Sequence, residues 1–198
     1  MKVVILAGGL GTRISELTKI IPKPMIKIFG KPIIHRIVDH FYSYGFKEFY
    51  IALGYKGEII QKYFQNCKLK KGIKINCIKT GKKTMTGGRI KKLKKYLKSD
   101  FLLTYGDGLS NVNLKKLLDF HQRKKKLVTV TAVRPPARFG TIKIIRDKVK
   151  YFKEKNNLDE GWINGGFFIM SPKFLSFIKN DQTYLEKEPF EKITKKNQ

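Results

Sequence analysis

The 198 residues are enough for one domain with a substantial core, and 41% apolar content is ordinary for a folded protein. No run approaches the ~18 apolar residues of a membrane span, and the first apolar run is too short for a signal peptide, so a cytoplasmic protein with no membrane partner is expected. The formal charge of +28 is unusual, yet lysine outnumbers arginine 36 to 7, whereas groups that read bases or grip phosphates in fixed geometry are mostly guanidinium, so no specific nucleic-acid partner is expected.

Val3–Ala7 suits a strand buried on both faces, and Gly8, Gly9, Leu10 and Gly11 follow as a turn whose backbone N–H groups can converge on an anion. Thr12 adds a hydroxyl and Arg13 a fork of donors matched to phosphate oxygens. Neither common nucleotide loop is matched. Ile14 stands where a dinucleotide loop needs its third glycine, and the Gly-Lys-Ser/Thr of a P-loop is absent. Taken alone, the glycines also suit a plain strand-to-helix turn.

Pro32 can open a helix without losing a hydrogen bond; Ile33, Ile34, Ile37, Val38 and Phe41 line one face of it and Gly45 ends it. Glu48–Leu53 reads as a strand, Glu58–Phe64 as a short helix and Ile73–Ile78 as an alternating strand, a βαβαβ order. Between Ile59 and Ser99 stand thirteen Lys and one Arg with no Asp or Glu. That stretch suits either a solvated face or a polyanion contact. A helix is expected from Gly88, with Ile90, Leu93 and Leu97 inward and Lys91, Lys92, Lys94, Lys95 and Lys98 in solvent.

Phe101–Tyr105 reads as a buried strand ending at Gly106-Asp107-Gly108, and Asn113 as the cap of a helix running to about Lys125. Leu127–Val133 is a further strand. The order then turns antiparallel, with Thr141–Ile145 and Val149–Phe152 around a tight turn and Trp162–Met170 beyond. Ser171-Pro172 and Tyr184–Lys196 suggest helices. Cys67 and Cys77 lack metal-ligand spacing and read as free thiols. His35, His40 and His121 lie in helical patterns and read as structural or exposed.

Leu6-Ala7-Gly8-Gly9-Leu10-Gly11-Thr12-Arg13, Pro22-Lys23-Pro24-Met25 and Gly30-Lys31-Pro32 resemble the signature of the sugar-phosphate nucleotidyltransferases. The likeness recurs in order at Gly54-Tyr55-Lys56-Gly57, Thr86-Gly87-Gly88-Arg89, Tyr105-Gly106-Asp107-Gly108, Arg138-Phe139-Gly140, Glu154-Lys155 and Ile163-Asn164-Gly165-Gly166. It is strongest to the cytidylyltransferase branch that acts on glucose 1-phosphate. The resemblance implies a single α/β domain over 1–198. Its fold would be the three-layer, Rossmann-like nucleotide-diphospho-sugar transferase, a mostly parallel sheet with added antiparallel strands. It also implies Mg²⁺-dependent transfer from CTP to α-D-glucose 1-phosphate, releasing pyrophosphate, and a possible homo-oligomer.

By the same resemblance, Arg13 and Lys23 meet the triphosphate together with the backbone of Leu6, Ala7, Gly8, Gly9, Leu10, Gly11 and Thr12, while Asp107 binds the metal. Thr84, Gly88 and Arg89 match the block that contacts base and ribose. Gly140, Glu154, Lys155, Asn164 and Gly165 match the sugar-phosphate site. The chain departs from the family between Phe64 and Thr80, where it is shorter, at Asn156, where many relatives have proline, and in ending before a block that carries a second metal-binding aspartate. Turnover is therefore expected to suffer more than nucleotide binding. Other expectations left open are another nucleotide or acceptor and a catalytically impaired nucleotide-binding domain.

Overall fold

The computed structural model describes residues 1–11, 20–135, 141–153 and 161–198, with backbone alone at 141–144 and 151–153. They form two compact units, Met1–Thr129 with Gly166–Gln198, and Val130–Gly165.

The five apolar residues of β1 (Val3–Ala7) are all buried, as a strand covered on both faces requires. A short 3₁₀ turn at Lys23–Met25 and a small hairpin, β2 (Lys27–Ile28) with β3 (Lys31–Pro32), lead into α1 (Ile33–Ser43). Phe29 and Gly30 both take positive φ at the hairpin tip, and neither the 3₁₀ turn nor the hairpin is evident in the hydrophobic pattern. Then come β4 (Glu48–Leu53), α2 (Gly57–Asn66), β5 (Lys74–Lys79), α3 (Thr86–Lys92), β6 (Phe101–Tyr105) and α4 (Leu114–Lys124). The expected Asn113 cap is in place, its side chain accepting from the Lys116 N–H at 3.0 Å.

β7 (Val128–Val133), β8 (Thr141–Ile145), β9 (Lys148–Lys153) and β10 (Ile163–Met170) follow, and the chain closes with a 3₁₀ turn at Pro172–Phe177 and α5 (Glu188–Lys195). The main sheet runs β5-β4-β1-β6-β10-β7. β5, β4, β1 and β6 are parallel neighbours, and β10 joins β6 antiparallel, Phe168 opposite Leu103. The sequence therefore predicts the α/β class and the switch to antiparallel pairing correctly. In the second unit β8 and β9 pair antiparallel with Ile145 opposite Lys148. Arg146 and Asp147 between them both have positive φ, which is the two-residue turn that matches strand twist.

The pleat of β1 splits the core of the first unit into two layers. Val3, Ile5 and Ala7 pack with Ile34, Ile37 and Phe41 of α1, Ile60 of α2 and Leu114 of α4. Val4 and Leu6 pack with Ile90, Leu93, Phe174, Leu185 and Ile193 on the other face. Helix–sheet–helix layering thus follows from one alternating strand. Ile90, Leu93 and Leu97 point inward as expected, but Lys91 and Lys92 are not simply solvated. Lys91 Nζ donates to the Ile178 and Lys179 carbonyls at 2.8 and 2.7 Å, and Lys92 Nζ lies 2.5 Å from Asp181. Among the described residues no helix is long and apolar enough to cross a membrane.

His35 is 7% exposed and its Nδ1 lies 2.6 Å from the Tyr63 hydroxyl. Burial is the largest influence on the ring and lowers its proton affinity; Asp39 opposes the shift, and Lys31 and Lys70 reinforce it. An unfolded histidine titrates near its ordinary value of about 6.5, so as pH falls through that value the unfolded state takes up a proton that the folded state refuses. Urea denaturation between pH 7.5 and 5 should therefore show stability falling with pH. His35→Gln should flatten the decline by up to about 1.4 kcal/mol per pH unit; an unchanged slope would mean that His35 is not the group responsible.

Candidate active site

A cavity of about 670 Å³ opens in the first unit where the parallel strands end, the usual ligand position in such sheets. Three chain segments after strands build its walls. The glycine turn after β1 contributes Gly8, Gly9 and Gly11, the turn after β6 contributes Asp107, and the approach to α3 contributes Thr84, Met85 and Thr86. Lys23 and Pro24 of the 3₁₀ turn line it as well.

Lys23 is set by local chemistry. Pro22 and Pro24 fix φ on either side, and the turn closes with Met25 N–H donating to the Pro22 carbonyl at 2.8 Å. The Lys23 ammonium then lies 2.6 Å from Asp107 Oδ2, both side chains about one-third exposed. These two expected site residues, 84 apart in sequence, form one ion pair on the cavity wall. Gly106 lets the Asp107 turn close on β1: its N–H donates to the Leu6 carbonyl at 2.8 Å, and a Cβ there would sit 3.0 Å from that oxygen.

Arg89 is 4% exposed, beneath the glycine turn. Its Nη2 donates to the Gly8 carbonyl at 2.8 Å, and Nη1 to Thr80 Oγ1 at 2.7 Å, the Gly81 carbonyl at 2.8 Å and the Leu53 carbonyl at 3.2 Å. Its closest partners are thus protein acceptors at the ends of β1, β4 and β5. Burial alone lowers its proton affinity, and a guanidinium nonetheless keeps its charge. Side chains at Gly8 and Gly54 would collide with this guanidinium, which accounts for both glycines without appeal to φ.

Thr84 is buried on the cavity wall, and its hydroxyl donates to the Thr80 carbonyl at 2.6 Å. Gly88 is not among the lining residues; its N–H donates to the Thr183 carbonyl at 3.3 Å, and a Cβ there would strike Asp181. Leu6 and Ala7 line the cavity, whereas Leu10 is 56% exposed and does not. Asn164 and Gly165 stand on β10 in the second unit, where Gly165 packs against the Thr131 carbonyl. Thr12, Arg13, Gly140, Glu154 and Lys155 lie outside the described residues.

The wall is completed by residues that carried no expected role, Tyr105, Tyr184 and Glu186. Tyr105 ends β6, and Tyr184 and Glu186 arrive because the segment before α5 caps α3, which has no side-chain cap of its own. Met85 N–H donates to the Asp181 carbonyl, Gly87 N–H to the Thr183 carbonyl, and Leu185 N–H to Thr86 Oγ1. The expected helix over Tyr184–Lys196 starts instead at Glu188, with Pro189 in its first turn. Proline there was the available signal, because it favours the start of a helix over its interior.

Residues 2–197 match the nucleotidyl transferase family. The chain is 42% identical over 211 residues to the glucose-1-phosphate cytidylyltransferase of Salmonella typhimurium, covering 96% of this chain and 82% of that protein. It is 34% identical to the D-glycero-alpha-D-manno-heptose 1-phosphate guanylyltransferase of Campylobacter jejuni, covering 100% of this chain and 86% of that one. Among solved structures it is similar to HddC from Yersinia pseudotuberculosis complexed with GMP-PN, with a TM-score of 0.73 and 30% identity over 94% of this chain and 84% of that chain.

The interlock of Gly8, Gly54 and Arg89 makes a contrast that thermal or urea denaturation can read. Gly54→Ala should cost about 1–3 kcal/mol, the range for overpacking a close contact. Gly9→Ala, with nothing within 4 Å of the added carbon, should fall within about 0.5 kcal/mol of wild type. Equal effects at the two positions would contradict the packing described.

Proposed function

Because the chain belongs to the nucleotidyl transferase family, we propose that this nucleotidyltransferase moves the cytidylyl group of CTP onto α-D-glucose 1-phosphate. A phosphate oxygen of the sugar attacks the α-phosphorus, a new P–O bond forms, the bond to the β-phosphate oxygen breaks, and pyrophosphate leaves. The observation that carries the reading is the Lys23–Asp107 pair at 2.6 Å on a cavity walled by the glycine turn. A cation and a carboxylate side by side suit the two halves of a metal–triphosphate substrate.

Two anions must meet and a third must depart, so stabilising developing charge is the main task. Lys23 would neutralise the α-phosphate or the leaving pyrophosphate, and the amides of Gly8, Gly9 and Gly11 would hold phosphate oxygens, with Thr12 and Arg13 completing the set. Thr84 and the backbone near it would border the base. Arg89 would act from beneath the turn, adding positive potential. Gly140, Glu154, Lys155, Asn164 and Gly165 would hold the sugar phosphate.

Asp107 suits Mg²⁺, which typically takes one or two carboxylates and fills the rest of its shell with substrate phosphates and water. Bound there, the ion would neutralise phosphate charge. The carboxylate would meanwhile release Lys23 to the phosphates, and the Pro22 and Pro24 turn would hold the lysine stem so that little ordering remains on binding.

Pyrophosphate release measured over CTP, UTP, dTTP, ATP and GTP against glucose, mannose and heptose 1-phosphates should be fastest with CTP and glucose 1-phosphate. Asp107→Ala and Lys23→Ala should each lower kcat/KM by roughly 10²-fold with the fold intact, the scale of removing one charge-stabilising group. Faster turnover with GTP and a heptose 1-phosphate would move the reading to guanylyl transfer. Unaltered turnover in both variants would overturn the site.

A further inference from the structure

Glu186 is held by two neutral hydroxyls, whereas Asp181 and Glu188 nearby are paired with lysines. Its Oε1 accepts a hydrogen bond from the Tyr105 hydroxyl at 2.6 Å and its Oε2 one from the Thr86 hydroxyl at 2.7 Å. The Thr86 oxygen is itself oriented by the Leu185 N–H at 2.9 Å. The carboxylate is thus fixed between the end of β6 and the start of α3, on the cavity wall beside Tyr184.

Two residues later, Glu188 is taken by Lys179 and Lys192 at 2.7 and 2.8 Å. Nearby Asp181 is taken by Lys92. Among the described residues no Lys or Arg pairs with Glu186, in a chain whose formal charge is +28. A carboxylate left without a cation repels phosphate and attracts neutral donors. Each of its oxygens has accepted one hydrogen bond from the protein, and an ionised carboxylate has about four lone-pair sites. One acceptor site per oxygen is therefore left for a ligand, and two adjacent hydroxyls on a ring match that pair. Tyr184 lines the same wall, 45% exposed, with the Lys187 ammonium 4.9 Å from its ring centroid.

We infer that Glu186 is a specificity-determining residue that binds adjacent ring hydroxyls of a substrate, with Tyr105 and Thr86 orienting it. The inference rests on the proposed reaction, whose substrates offer two such rings, the ribose of the nucleotide and the hexose of the sugar phosphate. O–H donors to a fixed carboxylate make charge-assisted bonds, about twice as strong as neutral ones.

Calorimetric binding to the full chain with Mg²⁺ tests it. The titrants are CTP with its 2′-deoxy and 3′-deoxy forms, and glucose 1-phosphate with its 2-deoxy and 3-deoxy forms, the sugars in the presence of a non-hydrolysable CTP analogue. In the wild type, loss of a hydroxyl from the ring that Glu186 holds should weaken binding about 10-fold or more, the range for a hydrogen bond to a charged group. In Glu186→Ala that penalty should shrink to within about 2-fold while the other ring is unaffected, which identifies the ring. Deoxy penalties that are the same in wild type and variant for both rings would overturn the inference and leave Glu186 a support for Tyr105 and Thr86. Should Glu186→Ala fail to fold by circular dichroism, Glu186→Gln decides on the same criterion: it keeps one acceptor oxygen and should show reduced penalties. A wild type that transfers cytidylyl but shows no coupling fails this inference alone; one that binds neither CTP nor glucose 1-phosphate fails both readings.

Discussion

One buried guanidinium holds the working edge of the sheet together. Arg89 gathers acceptors from Gly8, Leu53, Thr80 and Gly81, groups that close three different strands. With it in place the Gly8 carbonyl is turned inward, and the same oxygen also receives the Tyr55 N–H at 3.2 Å. Removing the side chain would take a donor from four acceptors at once, although the Gly8 and Leu53 carbonyls would keep the Tyr55 and Thr80 N–H groups. The glycine turn owes its shape as much to what lies under it as to its own freedom. An anion above that turn would also sense a full positive charge that water cannot screen well.

A second dependence runs from the end of the described chain back to the site. α3 begins without a side-chain cap, and the stretch around Asp181–Leu185 supplies the missing acceptors from its own backbone. Lys91 and Lys92, whose periodicity points to solvent, fasten the same stretch through the Ile178 and Lys179 carbonyls and through Asp181. The capping of one helix thereby decides which side chains from more than eighty residues away face the cavity.

Local features were the legible ones. A fully apolar strand followed by glycines, a lysine between prolines, and a strand ending at Gly106-Asp107 each announce their geometry within a few residues, and the structure brings the last two together on one wall. The layered α/β arrangement was legible for the same reason, because alternation in β1 and helical spacing in α1 state which faces are buried. Arg89 and Glu186 resisted such reading. A buried arginine whose partners are carbonyls and a hydroxyl leaves no complementary acid to find, and Gly8 is 81 positions away. Glu186 lies in a stretch whose pattern resembles a helix, and its donors are 81 and 100 residues distant. Proximity of that kind is a property of topology, and a one-dimensional pattern does not record it.

The contact between Lys23 and Asp107 implies an economy of exchange. In the pair the two charges cancel, so among the described residues of the cavity wall neither Lys23 nor Asp107 stands as a bare charge. On the reading proposed above, a nucleotide that arrives with its counter-ion gives each partner a new one in the same event, and neither charge is abandoned. A nucleotide arriving bare would capture the lysine and orphan the carboxylate beside it. On that reading the ion pair would act as a coincidence detector, favouring the complete substrate over either of its parts.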